Sequence, residues 1–265
     1  MKKSLAVLAL VAAAWAPVVA QTPKGALVIV GGGGTTDAIV SRTMELAGGR
    51  NAVVVVLPQS SATTDAGDSS VKMWLDAGAK SAKKVGFKDA DARAAIEAAT
   101  LIWIPGGDQN RFMDAIEGTG LDDVIRAAYR RGAVVGGTSA GAAVMSERMM
   151  TGEADLTALV AGKTELKKGL GLWPEGLVDQ HFLKRQRNNR LLSAVLERPS
   201  VIGVGIDEAT AIIVRGDRFD VVGRSAVVVF DARKAKVDRV EAGALTTGSD
   251  VRLSVLREGM SYSIK

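Results

Sequence analysis

The sequence contains no cysteine and a single histidine, His181, among its 265 residues. Without cysteine no disulfide can form, so the fold must be held by a hydrophobic core, which a chain with 47% apolar residues can supply. One imidazole and no thiolate also leave no nitrogen and sulfur ligand set for zinc. We therefore expect no metal and no other cofactor.

Aromatic residues are scarce, at 4% of the chain, and no basic tract is interleaved with them. Proteins that bind single-stranded nucleic acid stack bases on aromatic side chains, so the net charge of +5 is weak support for such a partner. Long apolar runs are also lacking, because the run at residues 5–14 is too short to span a bilayer. We expect no nucleic-acid partner and no membrane association of the processed chain.

The first 20 residues have the order of an export signal. Lys2 and Lys3 give a positive start, an apolar run follows, Pro17 breaks it, and small residues end at Ala20. Removal of this segment lowers the net charge from +5 to +3, because it carries two lysines and no acid. We expect residues 1–20 to be a signal peptide, residues 21–265 to form one α/β domain, and the mature protein to be secreted or periplasmic.

Strand-like and helix-like segments alternate through the first half of the chain. Apolar runs such as 26–30, 53–57 and 101–105 are typical of buried parallel strands, and the segments between them have helical patterns. From residue 201 onward short strand-like runs follow one another, with a hairpin turn at Gly216. These patterns predict an α/β fold with a mostly parallel sheet, helices on both faces, and antiparallel β additions near the C-terminus.

Four consecutive glycines, residues 31–34, follow the first predicted strand, where the phosphate-binding turn of a dinucleotide site would lie. Neither register of that motif is complete, because the positions that need the third glycine are occupied by Thr36 and Asp37. The glycine run therefore predicts a tight turn at the carboxyl edge of the sheet, beside an active crevice.

The segment 137–141, GTSAG, lies between a β-branched run and a helix-forming run at 142–150. Gly-x-Ser-x-Gly at a strand-to-helix turn is typical of a nucleophile elbow, because only glycine fits two residues on either side of the serine. Such a turn would expose Oγ of Ser139 and aim the N–H of Ala140 at a developing oxyanion, with Gly107 as a second donor. The alternative is an ordinary glycine-rich connection.

If an imidazole activates Ser139, it must be that of His181, which lies 42 residues downstream at the end of a short apolar strand. A lone histidine can equally be structural. The basic run that follows, with Arg185, Arg187 and Arg190, suits the binding of carboxylates, since arginine holds them in bidentate fashion. It can also be read as a solvated helix face.

Five segments resemble the cyanophycinase family of serine peptidases, in order and spacing, over roughly residues 25 to 260. The block around the histidine is the most specific. The five segments are 106–109 (GGDQ), 137–141 (GTSAG), 169–172 (GLGL), 178–191 (VDQHFLKRQRNNRL) and 205–211 (GIDEATA).

The resemblance implies a flavodoxin-like or class I glutamine amidotransferase-like fold and a homodimer. It also implies hydrolysis of cyanophycin, a polyaspartate whose side chains each carry an arginine, to β-Asp-Arg dipeptides. Ser139 would be the nucleophile and His181 the base. The resemblance assigns five residues to substrate binding, namely Gln109, Gln180, Arg185, Arg187 and Arg190.

The carboxylate that completes a triad is the least defined residue. Glu153 and Asp155 both follow the serine at about the distance implied by related serine exopeptidases. Glu153 is favoured, because residues 152–153 resemble the post-helix turn of the family, and Asp155 is the alternative. Asp108 can cap the helix that follows it. Asp207 and Glu208, at the end of a later strand, would either receive a cationic group or cap.

Two other functions remain compatible with these residues. A related aspartyl exopeptidase would keep the same triad and act on short Asp-containing peptides. A non-catalytic α/β binding protein would keep the fold and use the pocket for recognition only.

We expect mass spectrometry of the protein from its native host to show Gln21, or a close neighbour, at the amino terminus, because signal peptidases cleave after small residues such as Ala20. Recovery of the intact Met1 form from the cytosol would contradict export.

Overall fold

The computed structural model describes residues 23–154, 159–238 and 241–265, with the side chains of all of these except Glu153 and Ala154. The expected export signal, residues 1–20, and Asp155 lie outside these ranges. Within the ranges, no helix has both the length and the apolarity needed to cross a membrane.

Strands and helices alternate from the start of the described chain to the candidate nucleophile, as the sequence predicts. The elements in chain order are β1 (Leu27–Val30), α1 (Asp37–Leu46), a 3-10 turn (Gly49–Asn51), β2 (Val53–Val56), α2 (Asp68–Asp76), β3 (Ser81–Lys84), α3 (Ala92–Ala98), β4 (Leu101–Ile104), α4 (Gln109–Ile116), α5 (Leu121–Arg131), β5 (Val134–Thr138) and α6 (Ala140–Ala143).

The second half is mostly β. Its elements are β6 (Arg148–Ala154), β7 (Thr164–Lys168), β8 (Gly176–Gln180), α7 (Asn188–Glu197), β9 (Ile202–Ile206), β10 (Thr210–Arg215), β11 (Arg218–Gly223), β12 (Val227–Asp231), β13 (Lys236–Val237), β14 (Gly248–Ser249), β15 (Arg252–Leu256) and β16 (Ser261–Ser263).

The larger sheet has eight strands in the order β16-β11-β10-β1-β5-β4-β2-β3. The five strands from β1 to β3 in that order run parallel, and β10, β11 and β16 are added antiparallel beyond β1. The register pairs Val30 with Thr138 and Ile104 with Gly137, so β1, β4 and β5 end together. Parallel strands gather the residues that follow them at one edge, which is where ligands of α/β proteins bind.

Helices cover both faces of this sheet, and alternate residues of β1 show it. Leu27 and Ile29 pack in one buried cluster with residues of α3 and α5, such as Ile96 and Ile125. Val28 and Val30 pack in another with residues of α1 and α2. Since successive side chains of a strand point to opposite faces, each face has its own core.

A second sheet of four strands, β15-β12-β9-β8, packs on one face of the first. Val178 and Ile206 of this sheet belong to the same buried cluster as Leu27 and Ile29. Strands β8 and β9 are parallel, with Gln180 paired to Ile206, and α7 packs on them through Leu191. The sequence placed the strands after residue 201 in a single sheet, but β9, β12 and β15 form this second one.

Two local expectations differ from the structure. The helix expected over residues 142–150 is a single turn, α6, and residues from Arg148 onward pair with β7 in an antiparallel hairpin. The helix expected directly after His181 begins at Asn188, because residues 182–187 form turns. Alanine and methionine favour helix, but the long-range pairing of β6 with β7 outweighs that weak local preference.

Candidate active site

Ser139 lies at the turn between β5 and α6, with φ 54° and ψ −112°, a conformation that non-glycine residues seldom adopt. Its N–H donates to the carbonyl of Val30 at 3.0 Å, which ties the turn to β1. A Cβ at Gly141 would lie 2.0 Å from the carbonyl oxygen of Ile104, and one at Gly137 would lie 2.6 Å from that of Gly141. The two glycines are therefore required by close backbone packing, as in a nucleophile elbow.

His181 follows β8 directly and also has a positive φ, of 49°. Its N–H donates to the carbonyl of Gly31 at 2.7 Å, which joins the end of β8 in the second sheet to the end of β1 in the first. Nε2 of the imidazole lies 3.0 Å from Oγ of Ser139. The structure thus brings together the serine and the histidine that the sequence predicts.

The carboxylate at the other ring nitrogen belongs to Glu208, whose Oε1 lies 2.7 Å from Nδ1 of His181. The sequence favoured Glu153 for this position. The side chain of Glu153 and all of Asp155 lie outside the described residues. Glu208 lies beside His181 because of the strand register. Strands β8 and β9 are parallel neighbours and Gln180 pairs with Ile206, so the residues just beyond both strands lie side by side.

The glycine run is shaped around these two side chains. A Cβ at Gly32 would lie 2.3 Å from Cε1 of His181, and one at Gly33 would lie 2.5 Å from Cβ of Glu208. Gly32 and Gly33 also have positive φ angles, of 104° and 66°. These glycines let the backbone approach the imidazole and the carboxylate closely, which accounts for a glycine-rich turn whose dinucleotide motif is incomplete.

The two expected oxyanion donors belong to backbone turns next to the serine, since Ala140 follows it and a Cβ at Gly106 would lie 3.4 Å from Cβ of Ser139. Ala140 is the first residue of α6, where backbone N–H groups have no acceptor within the helix. Gly107 has a φ of 142°, and a Cβ there would lie 2.3 Å from the carbonyl of Ser60. The hydroxyl of Ser60 donates toward the carbonyls of Pro105 and Gly106, which ties the 105–107 turn to Ser60.

Gln109 and Gln180 are both buried near this edge of the sheet. Nε2 of Gln109 donates to the carbonyl of Met150 at 3.0 Å, and Asp108 caps α4 by accepting from the N–H groups of Asn110 and Arg111. Oε1 of Gln180 is buried and has no hydrogen-bond partner among the described residues. Gln109 therefore ties α4 to β6, while Gln180 keeps an unused acceptor.

The three arginines after the histidine are in different environments. Arg187 and Arg190 are buried and share the fully buried carboxylate of Asp179, whereas Arg185 is exposed. Nε of Arg190 lies 2.7 Å from Oδ2 of Asp179, and its Nη2 contacts Oδ1. Arg187 contacts Oδ1 at 3.3 Å and donates to the carbonyl of Gln180 at 2.6 Å.

Burial lowers the pKa of Arg187 to about 10, although Asp179 opposes this shift by favouring the charged form, and the neighbouring Arg190 and Arg185 add to it. No sequence motif identified Asp179 as a site residue. Its one signal was a carboxylate inside an otherwise apolar strand, two residues before the histidine.

Within the described ranges, no three His, Asp or Glu side chains converge as they would around a metal ion.

Replacing Asp179 with Asn should destabilise the fold by roughly 3–5 kcal/mol, because it leaves two buried guanidinium groups without a counter-charge. Urea denaturation measures the change. Asp76→Asn is the matched control, since Asp76 pairs with Lys72 on the surface and exposed pairs contribute little. Equal stabilities of the two variants would contradict the structural role of Asp179.

The chain is similar to one family of peptidases over most of its length. The model of peptidase family S51 matches residues 27–222. The cyanophycinase of Geminocystis herdmanii is 34% identical over 239 residues, which cover 86% of this chain and 88% of that protein. The cyanophycinase of Trichormus variabilis is 30% identical over 261 residues, covering 92% of this chain and 87% of that one.

Two solved structures share the fold. A peptidase from an acI-B1 actinobacterium superimposes with a TM-score of 0.63 at 22% identity, over 90% of this chain and 96% of the other. A putative peptidase E protein from Listeria monocytogenes superimposes with a TM-score of 0.56 at 16% identity, over 76% of this chain and 99% of the other. At these identities the likeness concerns the fold alone.

Proposed function

The chain belongs to peptidase family S51 and is a serine-type peptidase, and from this premise we propose that it hydrolyses cyanophycin to β-Asp-Arg dipeptides. The observation that carries the chemistry is the line of hydrogen bonds from Oγ of Ser139 through the imidazole of His181 to the carboxylate of Glu208. Relatives named cyanophycinases, at 30% identity or more over most of the chain, support the choice of substrate.

In the resting enzyme, Nδ1–H of His181 donates to Glu208, which leaves the lone pair of Nε2 facing the hydroxyl of Ser139. Ser139 attacks the backbone carbonyl of an aspartyl residue as Nε2 takes its proton. Glu208 stabilises the imidazolium, and the N–H groups of Gly107 and Ala140 stabilise the oxyanion. The imidazolium then protonates the leaving amine, and water hydrolyses the ester by the reverse steps.

The polymer has a free carboxylate on every arginine, so its binding site needs cations. We call residues 184–190, which contain Lys184, Arg185, Arg187 and Arg190, the basic block. Arg185 is exposed close to His181, and we assign it the direct contact with a substrate carboxylate. Arg187 and Arg190 are occupied by Asp179 and hold the end of β8 in place. Gln109 and Gln180 complete the proposed binding set.

We further propose that the protein acts outside the cytoplasm, as a homodimer. Export is supported by the order of charged, apolar and small residues in positions 1–20. The dimer is supported only by resemblance to the family. An exported enzyme of this kind would digest polymer that lies outside the cells.

The test of the function is incubation of the mature chain, residues 21–265, with purified cyanophycin and separately with Asp-containing dipeptides. We expect β-Asp-Arg from the polymer, detected by mass spectrometry. Ser139→Ala should remain folded and lose about a millionfold in turnover, because the triad acts as a unit. Ser81→Ala, at an exposed strand position, is the control. Cleavage of the dipeptides alone would indicate an aspartyl exopeptidase, and cleavage of neither substrate a binding protein.

Glu208→Gln should lower kcat by roughly 10³- to 10⁴-fold, because an amide no longer holds the tautomer of His181 that accepts the proton of Ser139. Glu153→Gln and Asp155→Asn are matched controls that remove one carboxylate each and should retain most of the activity. Kinetics on cyanophycin measure all three. A large loss in either control together with near-normal turnover of Glu208→Gln would reverse the assignment.

A further inference from the structure

A cavity of about 480 Å³ opens directly beside the candidate nucleophile. It shares Thr138 with the serine turn and Gly106 with the turn that holds the oxyanion donor Gly107. A Cβ at Gly106 would lie only 3.4 Å from Cβ of Ser139, so this part of the wall is in contact with the nucleophile. A substrate group that enters the cavity is therefore adjacent to the bond that Ser139 attacks.

The wall of the cavity combines polar and apolar residues and carries one charge. Hydroxyl groups from Thr35, Ser61, Ser69 and Ser70 line it, and Asp65 is the single ionisable side chain among the lining residues. In the described part of the chain, no lysine or arginine forms an ion pair with Asp65. The nearest candidate in sequence, Lys84, pairs with Asp68 and donates to the carbonyl of Thr64. The carboxylate of Asp65 is exposed at the cavity and is free to pair with a ligand cation.

The cavity and the basic block lie over opposite faces of the larger sheet. Trp103 lines the cavity and belongs to the buried cluster of α1 and α2, together with Val28. His181 follows β8, whose Val178 packs in the cluster on the other face. The nucleophile therefore stands between an anionic, hydroxyl-lined cavity and a surface that presents Arg185.

We propose that this cavity is the subsite for the cationic side chain of the substrate, and that Asp65 determines specificity by pairing with its guanidinium group. The inference rests on the proposed function and names the part of the site that distinguishes arginine. A guanidinium presents five donors in a planar fork, and a cavity that offers one carboxylate together with serine and threonine hydroxyls supplies acceptors for them. The carboxylate of the same substrate residue remains free for Arg185.

The experiment compares two synthetic polyaspartate peptides, one with arginine on each side chain and one with citrulline, the uncharged isostere of arginine. The wild-type enzyme should prefer the arginine peptide by about tenfold in kcat/KM, mainly through KM, which is the scale of one charge-assisted bidentate pair. In Asp65→Asn this ratio should fall toward one, and Asp65→Glu should restore part of it. Asp68→Asn, three residues away and outside the cavity lining, should keep the wild-type ratio.

Each outcome decides between the two proposals. An unchanged ratio in Asp65→Asn, or a wild-type enzyme without preference between the peptides, would overturn the role of Asp65 and leave the proposed function intact. A wild-type enzyme that cleaves neither peptide contradicts the proposed function, and the assignment of the subsite falls with it.

Discussion

The hydrogen bond from the N–H of His181 to the carbonyl of Gly31 is the contact on which the candidate site depends. The candidate nucleophile belongs to one sheet and the candidate base to another. This bond joins the ends of the two strands that precede the glycine run and the histidine. It requires a backbone approach so close that Gly32 has no room for a side chain beside the imidazole. The glycine run and the spacing of 3.0 Å between Nε2 and Oγ of Ser139 are therefore parts of one packing arrangement.

What the sequence predicted was either local or reached by elimination. The parallel sheet follows from apolar runs that alternate with helical segments, and the elbow around Ser139 follows from glycines two residues on either side. His181 was identified because the chain has one imidazole. Glu208 was noticed at a strand end but not placed beside His181, because that contact depends on the pairing of Gln180 with Ile206, a long-range contact that no local pattern encodes. The second sheet and the β6–β7 hairpin were missed for the same reason.

The basic block shows how charge in a sequence differs from charge at a surface. Four cations within seven residues suggest a solvated helix face, yet Arg187 and Arg190 are buried and paired with one carboxylate. Burial of an ion pair brings a desolvation cost that its Coulomb energy roughly offsets, so this cluster contributes more to geometry than to net stability. It fixes the strand end from which His181 projects and leaves Arg185 as the exposed cation. Sequence spacing alone could not separate the three.

The positive φ angles of Ser139 and His181 have a consequence for engineering and evolution. Each non-glycine residue in such a conformation costs on the order of 1–3 kcal/mol, and here both the candidate nucleophile and the candidate base adopt it. Glycine at either position would relieve that strain and abolish the chemistry, so inactive descendants of this protein can be more thermostable than their active ancestor. Selection for stability alone would therefore favour the loss of Ser139 and His181. Thermostable variants that keep their activity must gain stability in the sheets and helices away from these two turns.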